Sequence, residues 1–294
     1  MIAGIALLLL TGLCWVGIAV TVSMAAERRL DMGYIMFAAG LIISAVTIPF
    51  ILCSPGMTGS PDRRMWAVLL VLLAGAFNYF MLEFMNRAMQ IGSPGAVWGI
   101  IQSSLICPFL MGIICFGTEP TPGRLAGLAL ILAGIALFSR TRPGGGRPDS
   151  MKWLIPTFAA FAASGGAQSL ANLPSYWSDL QMSSYLRCLL VQGGTVAVFA
   201  ALVCVKPRPG CAKGTLVPVL LLAAMQVATL CFFFYNGLDM VAAAGAGSVG
   251  YPVAQGSCIA FFMLYEKFVR RQPMPLFAWG ALVALIAGIS LISV

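Results

Sequence analysis

The chain has 294 residues, of which 60% are hydrophobic and only 9% charged, with a mean hydropathy of +0.96 and a formal net charge of +8. A soluble domain carries about 25% charged residues because its surface faces water; these values therefore exclude an ordinary soluble enzyme and make lipid the solvent for most of the exterior. The basic excess does not mark nucleic-acid binding, because the Lys and Arg residues sit in short clusters between apolar stretches, where positive-inside topology accounts for them.

Crossing a hydrocarbon core takes about 20 apolar residues in a helix. Ten such stretches are predicted, over 2–25, 33–53, 66–90, 95–116, 122–139, 152–172, 182–205, 215–238, 244–268 and 275–293. Trp15 falls in the first. The third carries Asn78, Tyr79, Glu83, Asn86 and Arg87, and the spacing sets Asn78, Glu83 and Asn86 broadly on one side of it. Glu83 and Arg87 are i,i+4, so Glu83 reads either as half of a self-neutralising pair or as a proton-coupling carboxylate. The fourth and ninth stretches carry Gln102 and Gln255 beside serines, with Pro108 and Pro252 expected to interrupt the same two helices. Gln168, Asn172 and Tyr176 on the sixth and Tyr235 and Asn236 on the eighth extend the neutral polar set, and Trp15, Trp98 and Tyr251 offer flat aromatic faces. Asp239 reads as a solvated residue at the exit of the eighth, and Glu119 and Glu266 as loop contacts. Polar side chains in lipid-embedded helices face a cavity or another helix, and a mix dominated by amides, hydroxyls and aromatics suits an uncharged hydroxylated solute.

The chain repeats itself. Residues 132–139 and 286–293 agree at five of eight positions, an offset of 154. Gly92, Gln102 and Ser104 fall opposite Gly245, Gln255 and Ser257 at an offset of 153. The organisation expected is an all-α integral membrane fold, with a first five-helix repeat over 1–139, a linker over 140–151 and a second five-helix repeat over 152–294. Five is odd, so the second repeat enters the membrane from the opposite face, and two inverted halves can rock about a midplane site in alternating access. Thirteen basic residues fall on the odd-numbered connections against four on the even side, which puts the odd connections in the cytoplasm and both termini outside a cytoplasmic membrane.

The sequence has no His, and its nine cysteines are scattered without a CxxC pair. Clustered Cys/His metal sites, disulfide frameworks and His-based catalytic sets are thereby disfavoured. No enzyme activity, metal or cofactor is expected, and Met1 leads straight into an apolar stretch without the basic region of a cleaved signal peptide. Expected partners are membrane lipid and a small solute, the protein being a monomer or weak homodimer.

The stretch Phe116-Gly-Thr-Glu-Pro-Thr-Pro-Gly-Arg-Leu-Ala-Gly127, with Glu119 at its acidic position, resembles the turn between spans four and five of the drug/metabolite transporter superfamily, which includes EamA-type carriers. Leu13-Cys-Trp-Val-Gly17 resembles the Trp-Gly element of its first span. Within the superfamily, Gln255-Gly-Ser257 with Glu266, together with Gln102, is similar to elements of the glucose/ribose-type sugar branch. Asn78-Tyr79, Pro174-Ser-Tyr176 and Phe232-Phe-Phe-Tyr235 are similar to stretches of rhamnose–proton symporters. The resemblance implies a sugar carrier; export of amino acids or amphipathic metabolites, as in other EamA-type carriers, is the alternative it leaves, with a non-transporting membrane protein more remote.

Overall fold

The structure, a computed structural model, describes residues 1–54, 57–119, 121–140, 151–177, 179–205, 211–271 and 274–292. The linker expected over 140–151 lies almost wholly outside the described residues.

Ten helical rods form where the ten apolar stretches were predicted. They are α1 (Ile2–Glu27), α2 (Met32–Leu52), α3 (Pro61–Ile91), α4 (Pro94–Phe116), α5 (Pro122–Arg140), α6 (Leu154–Tyr176), α7 (Ser184–Val205), α8 (Leu216–Ala243), α9 (Gly250–Phe268) and α10 (Leu276–Ile292). Local chemistry sets several boundaries. Asp31 caps α2 by accepting from the Tyr34 amide at 3.2 Å, and Ser60 caps α3 from the Arg63 amide at 3.4 Å, with Pro61 at the first helical position. Gly117, in the left-handed region at φ +62°, ends α4.

Among the described residues six rods (α1, α2, α3, α4, α7 and α8) are long and apolar enough to cross a membrane. The outward faces carry Leu13, Leu41, Ile48, Ile114, Phe158 and Val283, all exposed, as a lipid-facing surface requires. The protein is a multi-pass helical membrane protein.

Two rods depart from a plain α-helix. In α4 a 3-10 turn over Ser103–Leu105 separates Pro94–Gln102 from Ile106–Phe116, just ahead of Pro108, which has no N–H to give. In α8 a π-helical stretch over Val227–Phe234 joins Leu216–Gln226 to Tyr235–Ala243. Ser184 Oγ donates to the Cys231 carbonyl at 2.8 Å, while Asn236 Nδ2 donates to the carbonyls of Phe232 at 3.0 Å and Cys231 at 3.3 Å. These bonds occupy carbonyls that a widened turn leaves poorly paired. Pro252 does not interrupt its helix as expected. It stands in the first turn of α9, where a missing amide costs nothing.

Packing runs across the two halves. α5 lies along α10 and α2 along α7; α1 packs on α8 and α9, as α6 packs on α3 and α4. Connections meet in two sets. At one end the α2–α3 connection bonds to the α6–α7 connection through Thr58 and Gln181, with Arg63 on Asp179 at 2.6 Å. At the other, Gly92 lies against Trp153 and Gly214 against Arg28. The tightest crossing is α3 on α7, where a Cβ on Gly75 would lie 2.1 Å from the Val191 carbonyl and one on Gly194 2.0 Å from the Leu72 carbonyl. Backbone cannot yield as a side chain does. Gly75→Ala should therefore cost about 1–3 kcal/mol and lower the melting temperature in detergent. Gly280→Ala, inside α10 with nothing within 4 Å of its added carbon, should not lower it.

Candidate functional site

A cavity of about 120 Å³ lies at the centre of the bundle, walled by α1, α3 and α4 from the first half and α6, α7, α8 and α9 from the second. That is space for on the order of ten water-sized positions, or one small organic molecule. Seven of the residues expected at a solute site line it: Trp15, Asn78, Gln102, Gln168, Tyr235, Tyr251 and Gln255. Among the described residues none that lines it is charged.

The polar groups are held by their helices. Gln168 Nε2 donates to Ser164 Oγ at 2.6 Å and Ser104 Oγ at 3.0 Å, and those two hydroxyls share a 2.8 Å bond, fastening α6 to the 3-10 turn of α4. The Gln168 Oε1 is left buried without a partner. Gln102 Nε2, Trp98 Nε1 and Gln255 Oε1 are in the same condition, although the Cys258 sulfur, a weak partner for an N–H, lies beside Trp98 and Gln102. Two N–H donors and two carbonyl acceptors, on side chains that line an uncharged cavity, thus lack a nitrogen or oxygen partner. Aromatic rings form one wall: Phe234 sits 5.2 Å from Trp15 and 5.0 Å from Tyr251 between ring centroids.

The lining follows the offset found in the sequence. Trp15 and Gln168, Ile18 and Ala171, Met81 and Phe234, Leu82 and Tyr235, Trp98 and Tyr251, and Gln102 and Gln255 all line the cavity, and the two members of each pair stand 153 positions apart, as 255 does from 102. Gly12 and Gly165, also 153 apart, mark the closest approaches of α1 to Ser257 of α9 and of α6 to Cys107 of α4.

Four expected residues lie off the lining. Tyr79 is wholly buried on the side of α3 next to Phe80. Glu83 accepts from Arg87 Nη2 at 2.7 Å and Nε at 3.2 Å; the Arg87 side chain is 56% exposed, so the pair is the self-neutralising one that the i,i+4 spacing allows. Asn236 is exposed on the outer face of α8, and its amide serves the π-helical carbonyls. Tyr235 lines the cavity and Asn236 does not, the same phase that Leu82 and Glu83 take 153 positions earlier on α3. Asn172 is buried one turn beyond Gln168, towards the far end of α6.

The structure adds residues the sequence reading passed over. Gln226 lines the cavity, and its Oε1 accepts from buried Gln192 Nε2 at 2.9 Å, joining α8 to α7. Both are amides inside apolar stretches, a signal as strong as that of Gln102, but neither has a repeat-related mate. Arg187, only 2% exposed, stands behind Tyr235 with its guanidinium 5.5 Å from the ring centroid. Its Nη1 donates to Ser175 Oγ at 2.7 Å and pairs with Asp239 Oδ1 at 3.0 Å, while Ser175 Oγ donates to the same carboxylate at 2.7 Å. Asp239 is thus an ion-pair partner rather than a freely solvated exit residue.

Residues 2–140 match the model of the EamA-like transporter family, within the drug/metabolite transporter superfamily. No curated protein matches the chain. Sixteen solved chains match; one of these, a crystal structure, has a TM-score of 0.69 at 15% identity and covers 98% of this chain and 95% of its own. That likeness establishes the fold over nearly the whole length. The first half of the chain is thus similar to EamA-like transporters, over 139 of its 294 residues. None of the matches points to a sugar-transporting branch.

Proposed function

We propose that the protein is a secondary carrier which moves a small uncharged polar metabolite, a sugar or a similarly hydroxylated solute, across the membrane by alternating access. One observation carries this reading: Gln102, Trp98, Gln168 and Gln255, each with a buried polar atom that lacks a nitrogen or oxygen partner, line a cavity with no charged residue among those described. A charged solute would leave its charge without a counter-charge there, at high cost in low dielectric, whereas hydroxyls can donate and accept together. The aromatic wall of Trp15, Phe234 and Tyr251 suits the apolar face of a sugar ring. It equally suits an amphipathic metabolite, so export of such compounds is the second reading.

Support for an inverted repeat comes from the six lining pairs spaced by 153 and from the exchange of helix partners between halves. Two such halves can rock about a shared central site. We assign proton coupling to Glu83, whose carboxylate Arg87 holds.

Thermal-shift screening of the purified protein against sugars, polyols and amino acids tests the substrate class. A ligand that binds only the native state stabilises it by about 2.7 kcal/mol at a hundred times its Kd. Neutral hydroxylated compounds should raise the melting temperature, and stabilisation by charged compounds alone would overturn the reading. In proteoliposomes, flux of the compound found should respond to a pH gradient in the native protein and lose that response in Glu83→Gln.

A further inference from the structure

We propose that Asn172 and Tyr176 form a second polar station for the solute, between the central cavity and a separate cleft at the α4–α5 and α8–α9 end of the bundle. It rests on the carrier reading above and extends it to a place outside the cavity. The cleft has a volume of about 520 Å³ and is bordered by Phe116, Glu119, Arg124, Tyr176 and Gly247. Gln168, Asn172 and Tyr176 are successive i,i+4 residues and so share one stripe of α6. Gln168 borders the cavity, Tyr176 borders the cleft, and Asn172 lies between them.

Each of the three keeps a buried polar atom without a partner: Gln168 Oε1, Asn172 Nδ2 and Tyr176 OH. Asn172 is 1% exposed, and although Tyr176 lies near it, the two make no hydrogen bond of good geometry. Buried polar side chains are nearly always paired, so three unused groups in line from one void to another mark a polar route rather than packing.

The Tyr176 ring closes that route. It stacks on Phe116 with ring centroids 4.3 Å apart and planes 10° apart. Its edge enters a slot between two glycines, one from each half: a Cβ on Gly112 of α4 would lie 2.6 Å from Tyr176 OH, and one on Gly247 would lie 2.8 Å from its Cε1. Nothing passes between cavity and cleft unless the ring swings off Phe116. The hydroxyl and the Asn172 amide then face the passing solute. The groups are an N–H donor and a phenol, so the ligand class is again an uncharged solute bearing hydroxyl or carbonyl groups.

The test is labelling of full-length Asn172→Cys in proteoliposomes with a small membrane-impermeant methanethiosulfonate. Modification is followed on the peptide holding position 172 by mass spectrometry, which sets the native cysteines aside. The introduced thiol should react from one side of the membrane only, and Phe116→Ala should speed the reaction by up to about tenfold, the worth of one aromatic pair. Ala160→Cys, at a 0% exposed position on the same helix, should stay inert in both backgrounds. An inert thiol in Asn172→Cys, or a rate that Phe116→Ala leaves unchanged, would overturn the proposal. Tyr176→Phe keeps ring and stack, should leave labelling unchanged and should raise the KM for whichever solute the native protein carries; an unchanged KM counts against the station. Saturable flux by a variant whose thiol stays inert removes the station and leaves the carrier, whereas a reactive thiol without flux of any solute removes the carrier.

Discussion

Gln102→Leu combined with Gln255→Leu should raise the melting temperature while lowering solute flux about 100-fold. Both amides are almost completely buried, at 4% and 1% exposure, and each leaves one polar atom without a partner. A buried unsatisfied group costs about 1–3 kcal/mol, and an apolar side chain of similar size removes that cost. The same substitutions take away two hydrogen bonds to a bound solute, each worth roughly 1–1.5 kcal/mol, and together these correspond to a loss of about 30- to 150-fold. Stability and transport should therefore move in opposite directions, as they do where binding groups are held unsatisfied for a ligand. Thermal unfolding and flux on the same preparations check this. Loss of folding in the double variant would mean that the two glutamines hold the bundle together rather than serve the cavity.

The second large effect is an asymmetry within the Arg187–Asp239 pair. Arg187 is 2% exposed, whereas the Asp239 side chain is 40% exposed. Asp239→Asn strands a buried guanidinium with Ser175 and the Tyr235 ring as its remaining neighbours, and should cost about 2–4 kcal/mol. Arg187→Met leaves a carboxylate that water can reach, and should cost about 1 kcal/mol or less once solvent screening is allowed for. Asp239→Asn should thus melt well below Arg187→Met, and adding Arg187→Met to Asp239→Asn should recover most of the loss. Equal melting temperatures for the two single variants would show that the charges do not meet in the protein.

Much of the architecture is written in the chain itself, because a bilayer imposes one rule on every segment. Each span is apolar for about 20 residues and ends at charges, Pro or Gly. The ten rods could therefore be placed to within a few residues, with the chief disagreements at the start of α3, which Pro61 and the Ser60 cap begin five residues earlier, and around the α8–α9 turn, where α8 runs five residues further and α9 begins six residues later. The π-helix in α8 had no such signature. Ser184 and Asn236 both donate to the Cys231 carbonyl within it, one of them from another helix, and that contact appears only once α7 and α8 are set side by side.

The candidate site was legible where type and spacing coincided. Gln102 and Gln255 are the same residue at matching positions, and both line the cavity. Trp98 with Tyr251, and Trp15 with Gln168, obey the same spacing with different side chains, and identity alone could not pair them. Arg187 and Asp239 are 52 positions apart on different helices, so their partnership appears only when α7 and α8 are set side by side. Glu83 illustrates the opposite case: its i,i+4 partner was visible from the start, and the structure uses it.

Counterflow tests the carrier most directly. Proteoliposomes are preloaded with an unlabelled solute that stabilises the protein and diluted into a trace of the labelled compound. A protein that exposes one binding site alternately to either side should show transient accumulation of label above equilibrium, followed by decay. Simple equilibration without overshoot, for a solute that demonstrably binds, would mean that the central cavity does not alternate between the two faces of the membrane.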